Sequence, residues 1–142
     1  MTTTRISLSR KLSCSLDHFI ESLFDYQLMK NYQQPPLISY QLVKGNFLEE
    51  GAVVKLFYDN EKTKVITETI IKNNLPKEII IEQKYFHVLV IIKHRFNNNI
   101  WFVDYQFITT TKKTIDKEGL AKQLEEDMEG FLKYYDKISK LK

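Results

Sequence analysis

The chain has 142 residues, of which 43% are hydrophobic and 13% aromatic, with only 4 glycines and 3 prolines. This composition is typical of a folded domain with a sizeable core and excludes a largely disordered or low-complexity chain. The 21 basic and 18 acidic residues give a formal net charge of +3 and are interspersed. Charge alone therefore indicates no polyanionic partner. We expect one domain over residues 1–142.

Several features that the sequence lacks bear on where the protein is located and on whether it holds a cofactor. The single cysteine, Cys14, excludes an intramolecular disulfide and is typical of a reducing compartment. There is no signal-peptide-like run at the start, and no stretch approaches the ~20 apolar residues of a membrane span. The histidines at 18, 87 and 94 lack the close spacing of a zinc site, and no glycine-rich phosphate loop is present. We expect a cytoplasmic protein with no metal, no cofactor and no integral membrane association.

Hydrophobic periodicity predicts the elements in chain order. Residues 5–13 alternate as a half-buried strand, and an apolar stripe from Leu16 to Leu28 predicts one or two short helices that Pro35 and Pro36 end. From residue 38 the period is two, and turn residues separate successive strands. The segment at 77–96 is too long for one strand and must reverse near residues 83–87. The remaining predicted strands are 38–44, 53–59, 64–72 and 100–110.

A long amphipathic helix closes the chain over residues 116–139. Its apolar positions recur at helical spacings of three and four, and charged residues occupy the opposite face. Because the strands before it are joined by hairpin-like turns, we expect an antiparallel sheet of six or seven strands covered by this helix, in the α+β class. The apolar stripe consists of Leu120, Leu124, Met128, Phe131, Tyr135 and Ile138.

Two turns and the order of elements suggest a family. The segment from Gly45 to Gly51 separates two strands, and Asn73-Asn74-Leu75-Pro76-Lys77 precedes an isoleucine-rich strand. Together with the order strand, short helices, meander and long helix, they resemble the START-like helix-grip superfamily (SRPBCC), especially polyketide cyclase/dehydrase and lipid-transport-like proteins. The resemblance covers essentially the whole chain. It implies a curved sheet wrapped around the C-terminal helix, with a cavity for an apolar or amphipathic ligand between them.

Alternation along the strands predicts which side chains face that cavity. Charged residues such as Lys55, Lys93 and Asp104 face outward, so their neighbours face inward. The strand at 64–72 has no clear inner face, because isoleucines occupy both of its faces. Several inward aromatics carry polar tips, which fits either a small-molecule site or satisfied groups in a core. The expected cavity residues are Leu56, Tyr58, Ile81, Tyr85, Val90, Ile92, His94, Trp101, Val103 and Tyr105 from the sheet, and Leu124, Met128 and Phe131 from the helix.

Three functions remain open at this point. The leading hypothesis is a non-enzymatic binding or carrier protein for a small apolar or amphipathic, lipid-like ligand. The second is a cyclase- or dehydratase-like enzyme acting on a hydrophobic carbonyl compound, with His94 and Tyr105 moving the proton. The third is a protein-interaction module similar to the co-chaperone activators of the superfamily. The sequence does not set the ligand's identity and leaves a weak homodimer open.

Nucleic-acid binding is not expected. Lys112, Lys113 and Lys117 cluster before the last helix, but the exposed stacking aromatics of a nucleic-acid groove do not accompany them. We interpret these lysines as a solvated turn.

Overall fold

A computed structural model describes residues 1–111 and 115–140. Lys112 and Lys113 of the predicted basic turn lie outside these ranges. The described residues form seven strands and three helices, close to the predicted elements. These are β1 (Thr2–Lys11), α1 (Leu16–Leu23), α2 (Tyr26–Tyr32), β2 (Ser39–Lys44), β3 (Val53–Phe57), β4 (Val65–Asn74), β5 (Glu78–Tyr85), β6 (Val88–Asn97), β7 (Ile100–Thr109) and α3 (Lys117–Ser139).

All seven strands belong to one antiparallel sheet. Its spatial order is β1-β7-β6-β5-β4-β3-β2, so each strand from β2 to β7 pairs with its neighbour in sequence. The first strand instead pairs with the last, in a ladder from Thr2 opposite Thr109 to Lys11 opposite Ile100. Helices α1 and α2 both contact the closing helix, so all three lie on the same side of the sheet. The predicted α+β helix-grip architecture is confirmed.

The β5–β6 turn carries no sequence signal. The chain reverses at Phe86 and His87, and Phe86 adopts a φ of 50° while remaining 81% exposed. A left-handed φ is uncommon for a bulky residue, and glycine or asparagine is the usual choice there. By contrast, the β6–β7 turn uses Asn98 and Asn99, both at positive φ. The β5–β6 reversal falls within the predicted window, but pairing along the two strands sets its position.

Helix α3 is fastened to the sheet by an aromatic cluster. Phe19 of α1 is fully buried and meets Trp101 of β7 and Phe131 and Tyr135 of α3 edge-on, at centroid distances of 5.1 to 5.4 Å. Such edge-to-face pairs add to the free energy of burying the rings. At 23 residues the helix is about 34 Å long, which matches a ten-residue strand. It is therefore long enough to span the height of the sheet.

None of the helices in the described ranges combines the length and the apolar character that a membrane crossing requires.

We expect Phe131→Ala to destabilise the domain by about 3–5 kcal/mol, because it leaves a cavity beneath α3 where the ring is now 98% removed from solvent. The free energy of unfolding from urea titration followed by circular dichroism measures this. Lys133→Ala, on the exposed face of the same helix, is the matched control and should stay within about 0.5 kcal/mol of the parent. Equal stability of the two variants would contradict the proposed docking of α3.

Candidate functional site

A cavity of about 150 Å³ lies between the sheet and the α1–α2 segment. Its walls come from the end of α1, from α2, from the β2–β3 loop and from the inner faces of β3 to β7. Helix α3 contributes no lining residue, although the sequence predicted the cavity against that helix. The residues that line it are Leu23, Phe24, Tyr26, Met29, Tyr32, Gln33, Leu48, Leu56, Glu68, Ile81, Gln83, Ile92, His94 and Tyr105.

Five of the predicted cavity residues line this space, all from the sheet. They share the inner face of their strands, as the alternation required. They are Leu56, Ile81, Ile92, His94 and Tyr105.

The other predicted cavity residues lie elsewhere. Trp101, Val103, Met128 and Phe131 are packed into the core beneath α3, which is filled by the aromatic cluster. Tyr85 is 37% exposed at the end of β5, where its ring packs edge-on against Phe86 at the hairpin tip.

Val90 and Leu124 are half-buried without reaching the cavity. Tyr58 lies just behind its wall and donates a hydrogen bond of 3.1 Å to Oε1 of Gln33, which does line the cavity.

The polar centre of the cavity is Glu68 of β4. Its side chain is 5% exposed and shares the inner face of the strand with Ile70. The Tyr26 hydroxyl donates a hydrogen bond to Oε2, and Nε2 of Gln83 donates one to Oε1 at 2.8 Å. Burial raises the pKa of Glu68 above its ordinary value, and the two hydrogen bonds offset part of that rise. The carboxyl therefore keeps its proton to a higher pH than an exposed glutamate does.

Helix α2 is positioned so that Tyr26 reaches this carboxyl. Asp25 caps the helix, its side chain accepting hydrogen bonds from the backbone N–H of Gln27 at 2.9 Å and of Leu28 at 3.4 Å. The Tyr26 ring stacks on Tyr40 of β2 at a centroid distance of 5.4 Å. Burial and the neighbouring Glu68 both raise the pKa of the Tyr26 hydroxyl, so it acts as a donor.

His94 is a neutral member of the cavity wall. It is 9% exposed, Nε1–H of Trp101 donates to its Nδ1 at 3.1 Å, and Phe24 meets its ring edge-on at 5.0 Å. Burial lowers the pKa of His94 to about 3. Because Nδ1 accepts a hydrogen bond, the ring proton is assigned to Nε2. Near neutral pH the ring offers a hydrogen-bond donor and takes up no proton.

The predicted proton-transfer pair is not assembled in this structure. Within residues 1–111 and 115–140, no hydrogen bond joins His94 to Tyr105, since the His94 ring is bonded to Trp101 instead. Burial also raises the pKa of the Tyr105 hydroxyl. Neither group titrates near neutral pH, as a shuttle between them would require.

One end of the cavity is formed by Leu48 in the β2–β3 loop. Leu48 has a φ of 65°, and the loop is bounded by Gly45 and Gly51, whose positive φ values of 75° and 84° favour glycine. Nδ2 of Asn73 donates to the Leu48 carbonyl at 2.6 Å, and the Asn73 backbone N–H donates to Glu50 Oε1 at 3.0 Å. These bonds hold the loop against the sheet.

Glu68, Gln83 and the α2 residues were not among the site residues predicted from the sequence. The pattern Ile66-x-Glu68-x-Ile70 does carry a signal, because it places a carboxylate in phase with two apolar residues of one strand face. No group of three or more metal-ligating side chains occurs among the residues that the structure describes.

The low pKa of His94 makes stability depend on pH. The unfolded histidine binds a proton below pH 6.5, whereas the folded one stays neutral down to about pH 3. The free energy of unfolding therefore has its full value above pH 6.5 and decreases as the pH falls from 6.5 to about 3, by about 5 kcal/mol in all. Urea titrations across the window should show a shallower acid loss for His94→Gln than for the parent. His87→Gln, at the exposed hairpin tip, is the control and should keep the parent's slope; identical slopes for all three proteins would contradict the assignment.

Comparison with models of protein families gives no match, and comparison with curated proteins gives no significant match. Solved structures share the fold. Ara h 8.0201 is 12% identical, with a TM-score of 0.72 over 93% of this chain and 94% of that chain. Ginseng major latex-like protein 151 from Panax ginseng is 14% identical, with a TM-score of 0.68 over 90% and 94%. A protein of unknown function from Staphylococcus aureus is 10% identical, with a TM-score of 0.67 over 99% and 98%.

At these identities the likeness concerns the backbone and leaves the chemistry of the cavity to its own side chains. The chain shares the helix-grip fold with these structures.

Proposed function

We propose that this protein binds a small, mostly apolar molecule in the cavity, with the ligand's polar group directed at Glu68. The observation that carries the proposal is a buried carboxyl, held by Tyr26 and Gln83, in the wall of a cavity lined about equally by apolar side chains and by side chains that carry a polar group. A few placed polar groups in an apolar, concave site are the usual anatomy of small-molecule recognition. The helix-grip fold supports the proposal, because it encloses such a space between sheet and helices.

The cost of burying Glu68 also supports a binding role. A carboxyl taken out of water loses its hydration, and only part of that loss is recovered by hydrogen bonds. An apolar residue at this position would fill the same space without that cost. Ionisable groups with shifted pKa values that line a cavity are typical of functional sites.

The size of the cavity favours a small ligand over a lipid. A space of about 150 Å³ accommodates a molecule of about the size of benzene, whereas sites for drug-sized ligands occupy roughly 300–1,000 Å³. A lipid-like ligand exceeds the volume of this space. We therefore narrow the expected carrier function to a compact ligand.

Binding is better supported than the two alternatives. A cyclase- or dehydratase-like enzyme using His94 needs a proton carrier with a pKa near the working pH, and burial holds the pKa of His94 at about 3. An interaction module needs no polar groups inside the domain. The paired side chains Tyr58–Gln33 and Gln83–Glu68 at the cavity instead fit a site that recognises a molecule.

Filling the cavity should weaken binding without unfolding the domain. Benzyl alcohol, a neutral probe of suitable size, should bind the parent saturably by calorimetry and shift the ¹H–¹⁵N resonances of cavity residues such as Gln83. Ile92→Phe adds bulk to the cavity wall and should reduce the affinity at least about tenfold, because the cavity has little spare volume.

Ile91→Phe is the matched control, because residue 91 lies on the other face of the same strand and does not line the cavity. It should bind benzyl alcohol as the parent does. Resonance shifts confined to the outer face of the sheet, or equal affinities for the two variants, would place binding elsewhere and refute the proposal.

A further inference from the structure

We infer that the ligand is a small organic cation, a compact amine whose ammonium group pairs with the Glu68 carboxylate. The inference rests on the proposed function and specifies the charge of the molecule that the same cavity takes. It is carried by the sign of the groups around the cavity, by the free lone pairs of Glu68 and by the aromatic wall.

The cavity wall contains a carboxyl group and no positively charged side chain. Among the residues that line it, Glu68 is the one carboxyl, and none is lysine or arginine. His94 lines it as a neutral ring whose Nδ1 already accepts from Trp101. Burial keeps both Tyr26, which donates to Glu68, and Tyr58, which donates to Gln33, in their neutral form. A ligand cation would therefore be the partner that a buried carboxylate otherwise lacks in this cavity.

The carboxylate is oriented to accept such a partner. Each carboxylate oxygen has two lone-pair directions. Tyr26 occupies one direction at Oε2, and Gln83 occupies one at Oε1. One acceptor position per oxygen remains, and Glu68 lines the cavity. An ammonium group carries three donors and no acceptor, so it complements this arrangement, and charge-assisted hydrogen bonds of this kind are stronger than neutral ones.

The rest of the wall also favours a cation. The rings of Phe24, Tyr26, Tyr32 and Tyr105 line the cavity. Aromatic faces attract ammonium groups electrostatically, and the attraction is larger when water is excluded. An anion would meet the same rings and the Glu68 carboxyl with no basic side chain to compensate its lost hydration. The acidic and aromatic wall that favours amines therefore excludes carboxylates and phosphates as ligands.

Three probes that differ in charge but have nearly the same shape test whether charge, rather than size, determines the affinity. Benzylamine is cationic near neutral pH, benzyl alcohol is neutral and benzoate is anionic. Titration calorimetry of the parent with each probe should give the order benzylamine, then benzyl alcohol, then benzoate, with benzylamine at least about tenfold tighter than benzyl alcohol. This measurement needs no variant and is independent of any effect of mutation on folding.

Two glutamate variants test whether the Glu68 carboxylate is the charge that favours benzylamine. Glu68→Gln keeps the shape of the side chain and should weaken benzylamine binding about 30-fold or more, because it removes one partner of a buried charge pair. Because benzyl alcohol carries no charge, Glu68→Gln should weaken its binding less than that of benzylamine, so the ratio of the two affinities falls. Glu82→Gln removes the same charge from the outer face of β5 and should leave all three affinities unchanged.

The outcomes distinguish this inference from the function on which it rests. If benzyl alcohol binds in the cavity and benzylamine binds no tighter, or if benzoate binds best, the cation inference is overturned and the binding function stands. If none of the three probes binds, the binding function fails and the inference fails with it. If Glu68→Gln keeps the preference for benzylamine, the assignment to Glu68 is overturned.

Discussion

The structure depends on one constraint: a single helix is too narrow to cover a sheet of seven strands. Six strand spacings of about 4.8 Å make the sheet roughly 29 Å wide, whereas a helix with its side chains is about 10–12 Å across. Helix α3 and α1 cover one part of the inner face and form a core with Phe19 and Phe131. Tyr26 of α2 covers another part, with Val54 and Leu56 of β3. The cavity lies between these two apolar clusters, since residues of both line it.

The environment of Glu68 follows from its position between these two apolar clusters. Tyr26 belongs to the cluster under α2, whereas Gln83 extends from β5, whose neighbouring Ile81 packs in the cluster under α3. The two donors therefore approach the carboxyl from different parts of the fold, and the carboxyl links them. A buried carboxyl without them would leave acceptors unsatisfied, at a cost of about 1–3 kcal/mol or more. Glu68 of β4 is thus buried between the two clusters and hydrogen-bonded to one side chain from each part of the fold.

The sequence predicted the architecture well because its signals were long and periodic. The stripe ending at Ile138 and the alternation in β6 and β7 were read with the correct faces. The cavity was placed against α3 because a pattern shows which face is buried and does not show which neighbour covers it. Phe19 fills the space beneath Phe131, and only tertiary packing determines that. Glu68 was missed because a bulge between Ile70 and Lys72 shifts the register of β4, so isoleucines occur on both faces of the strand.

The pKa values of two titratable groups in the sheet wall of the cavity, His94 and Glu68, are shifted in opposite directions, and both shifts favour the neutral form. Burial lowers the pKa of His94 to about 3 and raises that of Glu68. Burial alone therefore opposes charge anywhere in this cavity, and only a charge that enters with the ligand can reverse that preference at Glu68. His94 cannot respond in the same way to an anion, since its Nδ1 is bonded to Trp101 and its ring is stacked on that indole. The cavity is thus chemically asymmetric, and that asymmetry comes from its side chains, while the fold supplies only the space.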